Sequence, residues 1–379
     1  MRIVHVVPAL TKGGAEKVLV DLANEARRRG HDLTVVSGYP VDPRLIGDRL
    51  GSAIPLKTIA VRDGDKRAAY YGLPAWLWRN RAWLDSVDVV HCHLTYAALF
   101  GTLLKSMQRL RGKRGPAIVE TFHGVGMPIT PRQRWLAATM AGGRDGFALM
   151  AEDPFWLGFL LSHPQLPGAV IPNGLAVDGV VAEAEARSWR ASLEIPVGAT
   201  LVGTIGRIRA ERNPLATLHS FAAAAHALPE AHFLMGGDGS MLDEMHRQAE
   251  RIGLGARLHL PGLVLSPPLA LANIDLYVSM NVGPITGIAG LEAAAAGVPL
   301  IALQARDDYR DGANDWIWSN ADPQVVGAEI VRLLRAPEEL SAMGQRQKAH
   351  VTTQFSVAAA QDAYEALYAR AVAKASGRP

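Results

Sequence analysis

Cysteine is almost absent: Cys92 is the only one in 379 residues. One thiol excludes an intramolecular disulfide and points to a reducing compartment, which makes the cytoplasm the expected location. Net charge is also nearly absent, at +3. So small an excess gives no footprint for a nucleic acid, and an electrostatic partner would have to meet a local patch. No long hydrophobic run goes uninterrupted. The most apolar stretch, Tyr277 to Leu303, contains Pro284, Glu292, Pro299 and several glycines, and reads as strand, turn, helix and strand, not as a membrane span. The opening run, Met1 to Pro8, is short and contains His5, which fits a first buried strand better than a signal peptide. Gly-x-Gly-x-x-Gly is nowhere complete, which weakens a dinucleotide reading. With 49% hydrophobic and 20% charged residues, the chain is globular and long enough for two domains.

What is present is an alternation of short β-branched runs with amphipathic or alanine-rich helices, the pattern of parallel sheets with right-handed crossovers. Strands are expected at Ile3–Val7, Asp32–Ser37, Leu56–Val61, Asp88–Cys92, Ala117–Thr121 and Phe147–Met150. The rhythm restarts at Leu201–Ile205, His232–Met235, Arg257–Leu260, Asp275–Ser279 and Pro299–Leu303. A helix from about Ala15 to Arg29 is stopped by Gly30. Ala169 to Gly174 reads as the join. The expected organisation is α/β: two doubly wound, Rossmann-like domains, 1–172 and 173–350, facing a central cleft. A tail, 351–379, would carry Val357, Tyr364, Leu367, Tyr368 and Val372 at helical spacing, cross back to the first domain and fray after Ala375.

Two stretches carry chemistry. Gly287-Ile288-Ala289-Gly290 is a glycine-rich turn opening an alanine-rich helix, with Glu292 in its early turns. Bare amides at a helix N-terminus suit a phosphate. The amides around Thr286 to Gly290 would meet a diphosphate or sugar, and Glu292 would accept hydrogen bonds from ribose hydroxyls. A close-packed helix with an early-turn acid is the alternative. Upstream, Gly206-Arg207 and Arg212 precede Asn213-Pro214, which starts another helix. Cations there oppose the helix dipole unless an anion answers them. Two forked guanidiniums suit a diphosphate. Together these describe a site for a nucleotide diphosphate sugar.

In the first half, Gly13-Gly14 is a tight turn onto a helix, either a plain Rossmann turn or a close backbone approach to a reacting centre. Glu16 is equally a site residue or an early-turn acid. His123 follows a strand end, where such folds place ligands. His91 and His93, on either side of Cys92, lack acidic or cysteine company elsewhere and read as strand-end residues lining the cleft, without a metal. Asp63-Gly-Asp65 reads as a polar turn. Five of the 24 aromatic residues, Tyr70, Tyr71, Trp76, Trp78 and Trp83, are interleaved with Arg67, Arg79 and Arg81 within 66–83. With Lys105, Arg109, Arg111, Lys113 and Arg114 in 105–114, they suit an anionic membrane surface. Buried tryptophans beside solvated arginines are the other reading.

Lys12 to Glu16, Thr121 to Gly124, Val170 to Gly174, Gly206-Arg207 with Arg212-Asn213, Gly236 to Gly239 and Leu291-Glu292 through Pro299 occur in the order seen in glycosyltransferase family 4. The chain resembles that family along essentially its whole length. The resemblance implies a GT-B fold and a retaining bacterial enzyme of cell-surface glycan type, such as lipopolysaccharide biosynthesis. It implies transfer of a hexose or N-acetylhexosamine from a nucleotide diphosphate sugar, UDP by preference, to a lipid-linked or polysaccharide acceptor. No metal or other cofactor is expected, the nucleotide sugar being the co-substrate. Arg207, Arg212 and His123 would be catalytic; Gly13, Gly14, Thr286, Gly287, Ile288, Ala289, Gly290 and Glu292 would bind the donor. Domain closure would bring His123 and the Gly13-Gly14 turn onto it. Two departures stand out. Arg212 replaces a lysine, and Pro284 falls where the first glutamate of a Glu-x7-Glu pair belongs, so that contact to donor-sugar hydroxyls is lost or replaced. A non-catalytic nucleotide-sugar-binding partner, or a sugar-nucleotide epimerase on the same fold, is the alternative.

Overall fold

A computed structural model describes residues 1–10, 13–40, 50–60, 65–123, 130–141, 143–176, 181–282, 287–304, 317–320 and 322–377. The chain divides into two compact units, Met1–Ala176 with Phe355–Pro379, and Val177–Gln354.

The first unit is built on seven strands: β1 (Arg2–Val7), β2 (Asp32–Ser37), β3 (Leu56–Thr58), β4 (Val89–His93), β5 (Ala117–Phe122), β6 (Gly146–Leu149) and β7 (Gly168–Val170). They form one parallel sheet in the order β3-β2-β1-β4-β5-β6-β7. The central strands β1, β4 and β5 are rich in Val and Ile and almost wholly buried, because a parallel sheet is covered on both faces. β7 is not expected from the sequence; its Ala169 and Val170 fall in the stretch that reads as the join. Three residues give too short an apolar run to be told from a linker. β3 is shorter than expected, although the Ile59 and Ala60 amides still donate to the Ser37 and Gly38 carbonyls at 3.0 and 2.8 Å.

The terminal helix Val357–Ser376 belongs to this unit. Tyr364, Leu367, Tyr368 and Ala371 enter the core shared with Val7, Val89, Val119 and Ala148. The helix runs one residue beyond the expected fraying point, because Gly377 caps it at φ +66° and Arg114 donates to the Ser376 carbonyl at 2.6 Å. Arg29 ties it to the first helix, Gly14–Arg28, through Asp362 and the Ala358 carbonyl, and His31 lies 2.9 Å from Glu365.

The second unit holds six strands: β8 (Leu201–Ile205), β9 (His232–Gly236), β10 (Leu258–His259), β11 (Leu276–Val282), β12 (Leu300–Gln304) and β13 (Ile317–Asn320). Their order is β10-β9-β8-β11-β12-β13, again parallel throughout. β13 is an additional strand not read from the sequence. The core of this unit gathers Val202, Phe221, Phe233, Met235, Val278, Ile301, Val326 and Ile330. In each sheet the strand order reverses once: between β1 and β4, and between β8 and β11. At such switch points the connections leave in opposite directions and open a crevice at the carboxyl ends of the strands. No helix among the described residues is long and apolar enough to cross a membrane.

Candidate functional site

The second switch point is where the sequence placed its anion site. β8 ends at Ile205, and Gly206-Arg207 follow directly. Tyr277, buried on β11, locks this strand end: its hydroxyl donates to the Ile205 carbonyl at 2.8 Å and lies 3.2 Å from the Ile205 amide. Burial holds the Tyr277 phenol protonated, pushed up to about 12. Beside it, Gly236 to Gly239 leave β9. The Gly206 amide donates to the Gly236 carbonyl at 2.9 Å, and Ile208 to the Asp238 carbonyl at 2.9 Å. A Cβ on Gly237 would lie 1.7 Å from the Gly206 carbonyl oxygen, so only glycine allows these two backbones to run side by side.

Arg207 is exposed and Arg212 half-buried. Between them the chain makes one 3-10 turn, Ala210–Arg212, and Asn213 adopts φ +48° before the helix Pro214–Ala225 begins. Desolvation, with a contribution from the Arg207 charge, lowers the Arg212 guanidinium below its ordinary value. Arg212 Nη1 donates to Asn281 Oδ1. Asn281 stands at an irregularity of β11, whose register against β12 shifts between Val278 and Val282, and its amide donates to Ser279 Oγ at 3.1 Å. Such a bulge re-aims a side chain.

Gly287 caps the helix Ile288–Ala296 at φ +78°, with no side-chain cap. A Cβ there would lie 2.4 Å from Asn281 Nδ2 and 3.8 Å from Arg212 Nη1. The first-turn amides of Ile288, Ala289 and Gly290 therefore open beside Arg212 and Asn281, with no carbonyl of their own helix to meet them. Glu292, half-buried one turn on, acts on Tyr277 electrostatically. The structure thus brings Arg207, Arg212, Gly287 and Glu292 to one strand-end region. Thr286 and Pro284 lie outside the described residues. Asn281 was missed by the sequence reading; its polar side chain at the end of an otherwise apolar strand was the available signal.

The first switch point is different in kind. Gly13 caps its helix in extended conformation, φ −111°, without a side-chain cap, and Gly14 is exposed. Gly13 itself thus needs no left-handed backbone. Glu16 is buried. His123 sits half-buried immediately after β5. Behind it, His5, His91 and His93 are buried on β1 and β4. The latter two therefore line no surface, contrary to the sequence reading: inward-facing strand positions place His91 under the terminal helix and His93 between His5 and His123. His91 lies 2.8 Å from the Tyr368 hydroxyl and 2.7 Å from Thr121 Oγ1, and Thr121 Oγ1 lies 2.9 Å from the Tyr364 hydroxyl. Ligand atoms of His5, His91 and His93 lie within 4.8 Å of one another, a separation a metal ion could bridge. Both nitrogens of His91 and both of His93 are, however, already in hydrogen bonds. Burial pushes His5 down to about 3 and His123 to about 4, and His91 and His93 well below the ordinary imidazole value. Cys92, between them, is pushed up to about 12 by burial and is inert.

The aromatic-basic segment divides. Asp65 accepts from the Ala68 amide at 2.8 Å and caps the helix Lys66–Arg79; Asp63 lies outside the described residues. Trp76 turns inward and donates from Nε1 to the Thr58 carbonyl at 3.1 Å, and packs edge-on against Trp83. Tyr71 and Trp78 stay outside, 84% and 55% exposed. In 105–114 much of the charge is spent: Lys105 pairs with Asp145, and Arg111 and Lys113 both pair with Asp85.

Comparison with known proteins agrees with this layout. Residues 12–178 match Glycosyltransferase Family 4, and residues 199–336 match Glycosyl transferases group 1. D-inositol 3-phosphate glycosyltransferase of Segniliparus rotundus is 26% identical over 315 residues, 79% of this chain and 64% of that protein. The lipopolysaccharide core biosynthesis glycosyltransferase LpsE of Rhizobium meliloti is 26% identical over 183 residues, 48% of this chain and 53% of that protein. The chain thus spans less than two thirds of each of these relatives. Among solved structures, Anabaena HepE in complex with UDP and glucose superposes with a TM-score of 0.79 at 17% identity, covering 97% of this chain and 100% of that one. One glycosyltransferase model matching each half in sequence, and solved glycosyltransferases matching the whole in fold, the chain is built of glycosyltransferase domains in the GT-B architecture.

Proposed function

We propose that the chain is a retaining, metal-independent glycosyltransferase. It moves a hexose or N-acetylhexosamine from a nucleotide diphosphate sugar to a lipid-linked or polysaccharide acceptor. The observation that supports this best is the grouping of Arg212, Asn281 and the uncapped helix start at Gly287, with exposed Arg207 close by. Departure of a nucleoside diphosphate develops negative charge on its phosphate oxygens. Two guanidiniums and a row of first-turn amides are preorganised to receive that charge. With these present, no divalent ion is needed for charge neutralisation. Retention follows if the acceptor hydroxyl attacks from the face the diphosphate leaves, a diphosphate oxygen taking the proton. Glu292 is then the acceptor for the ribose hydroxyls, and His123 is assigned to the sugar.

Uridine is favoured because the Anabaena neighbour holds UDP. A lipid-linked or surface-glycan acceptor is favoured because the Rhizobium relative is named for lipopolysaccharide core biosynthesis. Such an acceptor puts the enzyme at the cytoplasmic face of a membrane, with Tyr71, Trp78, Arg67 and Arg79 as the contact. Calorimetric titration with UDP, GDP and NAD, with and without chelator, tests the reading. Chelator-insensitive binding of UDP is expected. NAD binding in its place would overturn the site, and UDP binding without transfer to any acceptor would leave a binding partner. Interconversion of the free nucleotide sugar would make the protein an epimerase.

A further inference from the structure

His5, His93 and His123 form a hydrogen-bonded row in the first unit. His5 Nδ1 lies 3.0 Å from His93 Nε2, and His93 Nδ1 lies 3.1 Å from His123 Nε2. The far end, His5 Nε2, is buried and has no hydrogen-bond partner among the described residues. All three rings are neutral near pH 7, because burial disfavours their charged forms. A neutral imidazole carries one N–H, and each contact in the row needs one N–H and one bare nitrogen. Only two arrangements satisfy both contacts: every proton on Nδ1, or every proton on Nε2.

The two differ at the buried end. With protons on Nε2, His5 would bury an N–H that has no acceptor. With protons on Nδ1, it buries only an unused lone pair. Orphaned buried N–H groups are the rarer of the two, since a lost donor forfeits its single strong bond. We infer that His5 and His93 are positioning residues that hold His123 as its Nδ1–H tautomer, so that this ring offers a donor, and not a lone pair, to a sugar hydroxyl oxygen. The inference rests on the assignment of His123 to a sugar substrate. It also narrows the chemistry: with Nε2 engaged by His93 and Nδ1 protonated, His123 is no general base.

The test is long-range proton–nitrogen correlation on the full chain labelled with 15N-histidine at pH 7, peaks being assigned by single histidine substitutions. Protonated and bare ring nitrogens are separated by their 15N shifts. Nδ1–H is expected at His5, His93 and His123; Nε2–H at His123 overturns the inference without any variant. His93→Leu should release His123 to Nε2–H, the form neutral imidazole prefers in water. It should raise KM for the nucleotide sugar by about 3- to 10-fold, the worth of one neutral hydrogen bond, with UDP affinity unchanged. His93→Gln, whose amide can donate to His123 Nε2, should restore Nδ1–H and most of the KM. If His123 keeps Nδ1–H in His93→Leu, the row does not set its tautomer. If wild-type protein binds no UDP, the functional reading fails while the spectrum still decides the tautomer.

Discussion

The two sheets reverse strand order in the same way, yet their switch points are filled by opposite means. Between β1 and β4, histidine side chains occupy the space, buried, neutral and hydrogen-bonded to one another and to Tyr368 of the terminal helix. Between β8 and β11, glycines clear side chains away, and arginines and a helix start with no side-chain cap lie at the opening. One crevice is a packed interior with a single polar ring at its edge; the other gathers cationic and backbone donors suited to the proposed diphosphate. The comparison teaches that the same topology supplies a location but not a chemistry, which is set by a few residues at the strand ends.

Acid should break the symmetry first and most. His5, His91, His93 and His123 titrate near 6.5 in the unfolded chain but well below it in the fold. Between those values the unfolded state binds more protons, so stability falls as pH drops below 6.5 and is fully present above it. Each ring contributes about 1.4 kcal/mol per pH unit, and four set an upper bound on the order of 5 kcal/mol per unit. Hydrogen-exchange mass spectrometry at pH 7 and pH 5, corrected for intrinsic rates, should show peptides of β1 and β4 losing protection before those of β8 and β11. Equal loss would mean the cluster does not govern the first unit.

Leu367→Ala, in the terminal helix, should cost about 2–5 kcal/mol, the range for emptying a packed leucine site. Urea unfolding followed by the same peptides should show that loss in β5 and not in β8. Arg207→Ala and Arg212→Ala probe the other crevice. Each should weaken UDP binding by about 1.5–3 kcal/mol without altering the first unit, and unchanged calorimetry in both would remove them from the site. The smallest effect is expected at the surface: Arg67→Ser or Arg79→Ser should each lower affinity for anionic vesicles by about 1 kcal/mol. Vesicle sedimentation that does not respond would separate this helix from any membrane role.

Much of this was legible in the residues. β8, read as Leu201–Ile205, and β2, read as Asp32–Ser37, are found at those bounds. The helix opened by Gly287 stands out by its glycine-rich turn, and the pair Arg207 and Arg212 by a conflict between charge and helix dipole. What escaped was long-range. Asn281 draws its role from Arg212, 69 residues earlier in the chain, and from the register shift of β11. β7 and β13, at the far edges of their sheets, are three- and four-residue segments with no periodicity long enough to register.

The sequence by itself determined the alternation of strand and helix and singled out the residues proposed to hold a diphosphate, because periodicity, turn chemistry and charge are local properties. Only the tertiary structure decided which histidines are buried and against what. Parallel pairing sets His5 beside His91, and the strand ends bring His93 to His123, contacts between residues 30 to 88 positions apart. The protonation of a buried ring depends on such neighbours, and no local pattern in the chain records them.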